Sequence, residues 1–401
     1  MPSENVAIAK NTLVFIKEET TPGELIYPVA TDVVNLIEQG SVKQPRIYKP
    51  DPQLRNTLSK LPPVKGPYMV GEFAIAYLIK PSGSGGVAPR CGVLLKSLMG
   101  IETIVGGTSV EYTLAPVGTA LVSFSIAFRQ GHIVFWCAGA YSNVGTFPVE
   151  AGESDAALGQ MSLTGPYLSM VWAGTTDVND VAGYEALDTD ITVTNAKVFK
   201  VGAKIEFQLA DLSWEDNAGA GYLISAIDYD TDIVTIEALV GSVPDNAEVR
   251  GFLPTATDSG TIVHGAYGQV TENIDADGAA DLDILKAEIV VNNNLTVIGD
   301  EKVNSDYPSS IVKAGNREIA ITVDEVVKKG YAKYFYFTDN QATYSMIMPV
   351  GDTSDYRYTI NAPQAEFMTP DITGDEELTG SRVGEAFATS AYDDELSIMF
   401  D

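Results

Sequence analysis

The chain is 401 residues long, enough for two or three domains of ordinary size and too long for one small core. It holds 25 Lys and Arg against 54 Asp and Glu, a formal charge of −29, which argues against a protein that grips nucleic acid or an anionic membrane through its overall field. A hydrophobic content of 45% with 19 Tyr and 14 Phe excludes a disordered chain, while 2 Cys and 2 His leave too little for a Cys/His zinc site or a disulfide framework.

Lys10 and Lys17 break the apolar run that a secretory signal would need. The stretch between Arg129 and Glu150 has no acid or base, but it alternates and carries Gly131, His132, Gly139 and Gly145, unlike a bilayer helix. The expectation is a soluble protein made in a reducing cytoplasm.

In chain order, strand signals run through Thr12–Lys17, Met69–Ile79 and Val110–Leu114. Ser123–Arg129 and His132–Ala138 alternate on either side of Gln130-Gly131, the pattern of a β-hairpin. Further strands are expected at Ala287–Val291, Arg317–Val323, Thr343–Met348, Tyr356–Ile360 and Glu395–Phe400, rich in the β-branched and aromatic residues that suit a half-buried pleat. Two segments read as helix. In Ala88–Gly100, Cys91, Leu94, Leu95, Leu98 and Met99 share one face, with Pro89 near the start and Gly100 past the end. The second is expected from Asp324 to about Phe335, with Val327, Tyr331 and Tyr334 on one face.

These elements suggest an internal repeat: a loop (Ser41–Gly66 or Asn294–Gly315), a strand, a helix, then paired strands and a long closing segment. The closing segments rhyme as well, Gly152 and Gly159 answering Gly374 and Gly380. Between the halves, short strand signals at Val198–Phe207, Tyr222–Asp228 and Asp232–Leu239 predict a small self-contained β-barrel in which acids far outnumber bases. The fold class is therefore mainly β. It comprises two β-sandwich domains at 1–174 and 257–401, each with one short α-helix, and an inserted surface barrel at 175–256.

Chemistry is sparse. Asp228-Tyr-Asp230-Thr-Asp232 lacks the glycine and closing glutamate of a calcium loop and reads as an acidic turn; Asp275-Ala-Asp277-Gly278 reads as a linker. Pro81–Gly86 has no Lys-Ser/Thr ending for a phosphate loop, and no Gly-x-Ser-x-Gly elbow accompanies His132 or His264. Cys91 and Cys137 read as buried small hydrophobes. The expectation is no catalytic residue, no metal and no cofactor, hence no enzyme. One segment stands out against the acidic background. Ser41–Lys65 carries Lys43, Arg46, Lys49, Arg55, Lys60 and Lys65 with the single acid Asp51, and Pro45, Pro50, Pro52, Pro62 and Pro63 deny it regular structure along its length. Such a loop suits docking onto another copy of an acidic protein.

The chain resembles the tail tube proteins of long-tailed bacteriophages, in a large version. The resemblance rests on the strand Asn11–Lys17, the long loop entering Gly71-Glu-Phe-Ala-Ile-Ala-Tyr and the helix Val93–Gly100. It rests also on Gly139-Ala-Tyr-Ser-Asn-Val-Gly-Thr-Phe, and on the close Tyr358–Ala365 with Asp393–Phe400. It covers both flanking halves, and the length and repeat depart from the usual single tube domain. It implies a non-enzymatic virion part, assembled in the bacterial cytoplasm, whose copies join edge to edge into rings that stack into a tube. The rings are trimers with pseudo-sixfold symmetry if each chain carries two tube domains, hexamers otherwise. Implied partners are further copies of the chain, tape measure, terminator and baseplate or tip proteins, with DNA passing through the lumen unbound and no membrane. The loop bearing Lys43, Arg46, Lys49, Arg55, Lys60 and Lys65 resembles the family loop that reaches the neighbouring ring. Alternatives are a tail terminator or a surface β-sandwich binding module.

Overall fold

The computed structural model describes residues 13–37, 40–49, 62–116, 118–150, 158–165, 169–257, 259–260, 262–264, 268–274, 278–298, 310–313, 315–351, 356–374 and 377–401. The protein is mainly β, built of antiparallel sheets with two short α-helices among the described residues. It divides into two compact units: Met1–Gln39 with Phe124–Ala140 and Leu168–Asp258, and Gly40–Ser123 with Tyr141–Tyr167 and Ser259–Asp401.

In the first unit the strands run Val33–Val34, Val14–Glu18, Phe124–Gln130, the first half of Ile133–Glu150, then Ser169–Ala173. The expected hairpin is present, its two-residue turn displaced by one to Gly131-His132 so that Gln130 faces Ile133. Gly131 adopts φ +62°, a conformation cheap only for glycine. The segment after Gly174 adds two small sheets, one centred on Lys204–Gln208 and one ordered Asp190–Thr192, Ile233–Thr235, Ala226–Asp228. The division at 174/175 and 256/257 is not the one the packing draws. Phe199, Ile205, Phe207 and Val249 of this segment share one buried cluster with Phe15, Ala127, Val134 and Trp136. Gly251 lies so close to Ala173 and Val134 that a Cβ there would come within 2.7 Å of Val134. A segment of this size gains stability by extending its core into a neighbouring sheet.

The second unit holds two antiparallel strand series, joined where Ala365–Phe367 pair with Gly384–Ala386. One runs Ser41–Lys43, Gly71–Leu78, Leu158–Gly165, the second half of Ile133–Glu150, Ile284–Asn292, Glu318–Val326, Thr379–Ala386. The other runs Gly100–Val105, Ser109–Leu114, Ser397–Phe400, Tyr358–Phe367, Tyr344–Val350, Val270–Ile274, Gly278–Leu282. Alternation is strict where one face is buried: Phe73, Ile75 and Tyr77, then Ile319, Ile321 and Val323, point to the core.

Both helices belong to this unit. Helix α1, Gly92–Met99, forms where expected and buries Leu94, Leu95, Leu98 and Met99. Gly100 ends it at φ +105°, donating its N–H to the Lys96 carbonyl, and a Cβ there would strike Ala115. Helix α2, Lys333–Asp339, starts nine residues later than expected. Asp324–Val326 continue a strand instead, because the alternation of Ile319, Ile321 and Val323 extends to Glu325 and the ladder to Thr379–Ala386 outweighs local helical spacing. Of the expected helix face, Tyr331 and Tyr334 are buried one turn apart, whereas Val327 donates its N–H to the Leu378 carbonyl.

Candidate assembly interface

Within the second unit one sequence of pairings occurs twice. Ser41–Lys43, Gly71–Leu78, Leu158–Gly165 and Ile133–Glu150 lie in that order, and Ile284–Asn292, Glu318–Val326, Thr379–Ala386 and Asp371–Thr373 repeat it. Leu158–Gly165 and Thr379–Ala386 are both eight residues long. Each has glycine as its second residue, Gly159 facing Tyr77 and Gly380 facing Glu325. A side chain at either would have to displace a tyrosine ring, since a Cβ would meet Tyr77 at 2.5 Å at the first and strike Tyr331 at the second.

Two hairpins occupy matching places. Arg46–Lys49 pairs with Val64–Tyr68 between Ser41–Lys43 and Gly71–Leu78. Leu295–Ile298 pairs with Ser310–Lys313 between Ile284–Asn292 and Glu318–Val326. The basic loop is thus a β-ribbon at its base, where no regular structure along its length was expected; Pro45, Pro62 and Pro63 fall between its strands, where they cost no ladder bond. Arg46 serves the ribbon itself, donating from Nε to the Gly66 carbonyl at 2.8 Å and stacking 4.7 Å from the Tyr68 ring centre. Lys65 and Lys43 are exposed, and Lys49 lies on the Arg46–Lys49 strand. Arg55 and Lys60 lie outside the described residues, as do Asp275 and Asp277. The ribbon therefore brings Arg46, Lys49 and Lys65 onto one arm and leaves Lys43 in the main sheet.

The repeats join each other inside the chain, Val144–Glu150 pairing with Lys286–Asn292. Among the described residues the outer strands have one neighbour each: Ser41–Lys43 pairs only with Gly71–Leu78, and Asp371–Thr373 only with Thr379–Ala386. Sequence reasoning missed Asp371–Thr373, since three residues after Pro370 offer no periodicity to read. The open face of this sheet carries Glu72, Glu288, Glu318, Asp324, Glu366 and Glu385, with Lys286 and Lys43 as its bases.

Beneath that sheet the second repeat holds a buried ion cluster where the first is apolar. Arg382, fully buried, donates from Nε to Glu325 at 2.8 Å and lies 3.0 Å from Glu272, which accepts the Tyr334 hydroxyl of α2 at 2.5 Å. The guanidinium sits 3.9 Å from the Tyr334 ring centre. The matching positions in the first repeat are Met161 and Tyr77. Two carboxylates on one cation leave an excess buried charge. Burial pushes the Glu325 carboxyl above its ordinary value, with Arg382 and Lys333 opposing the push and Glu272 adding to it; Tyr331 feels the Glu325 charge in turn. The folded state therefore holds this proton to higher pH than the unfolded chain does. Its contribution favours the fold at low pH and is lost as pH rises through the folded value. The stability of Glu325→Gln relative to the natural protein is expected to improve from pH 4 to pH 8 in denaturant titrations; a relative stability that falls instead would contradict the assignment.

The remaining sequence candidates are placed simply. Asp228–Asp232 is the turn between Ala226–Asp228 and Ile233–Thr235, with Asp228 accepting the Asp230 and Thr231 amides. His132 and His264 are exposed, and burial pushes the Cys91 and Cys137 thiols up to about 12. Among the described residues no group of His, Cys, Asp or Glu is arranged to hold a metal ion, and no helix is long and apolar enough to cross a membrane.

No family model and no curated protein matches the chain. A solved structure of a FadL homologue from Pseudomonas aeruginosa aligns over 97% of this chain and 88% of its own at 8% identity, with a TM-score of 0.08, too slight a likeness to carry an argument.

Proposed function

We propose that this chain is a self-assembling ring subunit of a bacteriophage tail tube, the conduit through which DNA leaves the virion. The observation that carries the reading is the doubled sheet of the second unit. Two four-stranded repeats join edge to edge within the chain, and among the described residues each outer strand is paired on one side only. Open strands are a liability in a free protein, and closing a ring of copies removes them. Three chains would supply six repeats.

The acids of the open face suit the lumen of such a ring. DNA carries about one charge per 1.7 Å of axis, and a basic wall would retain it through counterion release, whereas an acidic wall repels it and lets it slide. The arm Arg46–Tyr68 and its counterpart Leu295–Lys313 would bridge stacked rings, the basic one meeting acids of the next ring. Tape measure, terminator and tip proteins would meet the tube at its ends.

Negative-stain microscopy of the purified full chain tests this. Long hollow tubes are expected. Single rings that never stack would favour a terminator, and a monodisperse monomer at high concentration would overturn the proposal in favour of a surface binding module.

A further inference from the structure

We infer that Ser41–Lys43 of one chain adds antiparallel to Asp371–Thr373 of a second copy in one defined register, with Lys43 directly opposite Asp371. This rests on the ring reading above and supplies the joint it needs.

The joint inside the chain is the template. Gly71–Leu78 corresponds to Ile319–Val326 and Leu158–Gly165 to Thr379–Ala386, as the matched glycines and the shared burial of alternate residues require. Lys43 faces Glu72, so its counterpart is the residue facing Ala320, which is Val290. Asp371 faces Ser381, so its counterpart is the residue facing Gln160, which is Thr146. Val290 and Thr146 are partners in the joint. Carrying that pairing to the open ends sets Lys43 against Asp371, Val42 against Ile372 and Ser41 against Thr373.

Chemistry agrees with geometry. The internal joint has a neutral pair, Thr146 and Val290, on the open face, whereas the open ends carry opposite charges at the same place. Both Lys43 and Asp371 are exposed. Ile372 corresponds to Phe147, which is 1% exposed in the internal joint, yet Ile372 is 40% exposed, an apolar side chain with its neighbour missing. An edge residue that is apolar on the core side and charged on the solvent side suits an added strand better than a free end. Lys43 thus acts in the ring joint rather than on the arm.

Two measurements test the register. Lys43→Asp and Asp371→Lys place like charges opposite each other, and each alone is expected to raise the protein concentration needed for ring formation roughly tenfold, while the double exchange restores it to within about threefold. Lys43→Cys with Asp371→Cys should cross-link neighbouring chains under oxidation. Directly opposed Cα atoms lie about 4.5–5.5 Å apart, within disulfide reach, and the natural Cys91 and Cys137 are buried. The pair Lys43→Cys with Asp281→Cys, the latter on the far sheet, serves as control. Rings that form normally in both single exchanges, or cross-link no better than the control, overturn the register and leave the tube reading standing. A natural chain that never forms rings overturns both.

Discussion

Replacing Arg382 with leucine is expected to destabilise the protein by about 3–5 kcal/mol. Arg382 lies within ion-pair distance of both Glu272 and Glu325, and all three side chains are withdrawn from water. These residues come from Val270–Ile274, Glu318–Val326 and Thr379–Ala386, while Tyr334 brings in α2. Removing the guanidinium strands two carboxylates in the interior, and Tyr334 loses the cation beneath its ring. The cost is that of leaving charges unpaired, not the net value of the cluster, which an apolar set can match. The first repeat illustrates such a set with Met161 and Tyr77. Arg382→Met combined with Glu272→Gln and Glu325→Gln should therefore recover part of the loss. Denaturant unfolding at neutral pH measures both, and a loss below about 1 kcal/mol for Arg382→Leu would show that the carboxylates shed their charge at little cost.

The second large effect concerns assembly. Reversing Lys49, Lys60 and Lys65 together to glutamate turns the segment Ser41–Lys65 from basic to acidic on a chain already at −29. If the arm meets acids of a neighbouring ring, attraction becomes repulsion, and tubes should be lost while the protomer keeps its circular dichroism spectrum and melting temperature. Arg46 is left untouched because it holds the ribbon through Gly66 and Tyr68. Raising salt should weaken stacking of the natural protein in the same direction, since exposed charges are screened within about 10 Å at 0.1 M. Tubes of normal length from the triple variant would remove the arm from the stacking contact. Loss of rings as well as tubes would place it in the ring joint.

The strand Gly71–Leu78 and helix α1 were legible because alternation, Pro89 and Gly100 are local marks. Helix α2 was misplaced because Asp324–Val326 carry residues tolerable in either state, and a ladder to residues more than fifty positions away decided between them. The middle segment showed its strands but not its company, since nothing in Phe199 or Ile205 announces that the opposing wall is Trp136 rather than a residue nearby. Of the basic residues singled out from the sequence, Lys43 and Lys65 were legible as charge, yet the arm and the sheet edge they occupy were not.

From composition and order alone follow the β class, the first helix, the hairpin at Gly131, the acidic balance and the likeness of Gly159 to Gly380. Each depends on a residue and its close neighbours, where sterics, turn chemistry and periodic burial act directly. Only the folded chain decided the two-unit division, the paired repeats, the buried ion cluster at Arg382 and the two open edges. Those depend on which strands meet across long separations, a choice made by the fit of whole faces and by the cost of leaving buried charge and backbone unpaired.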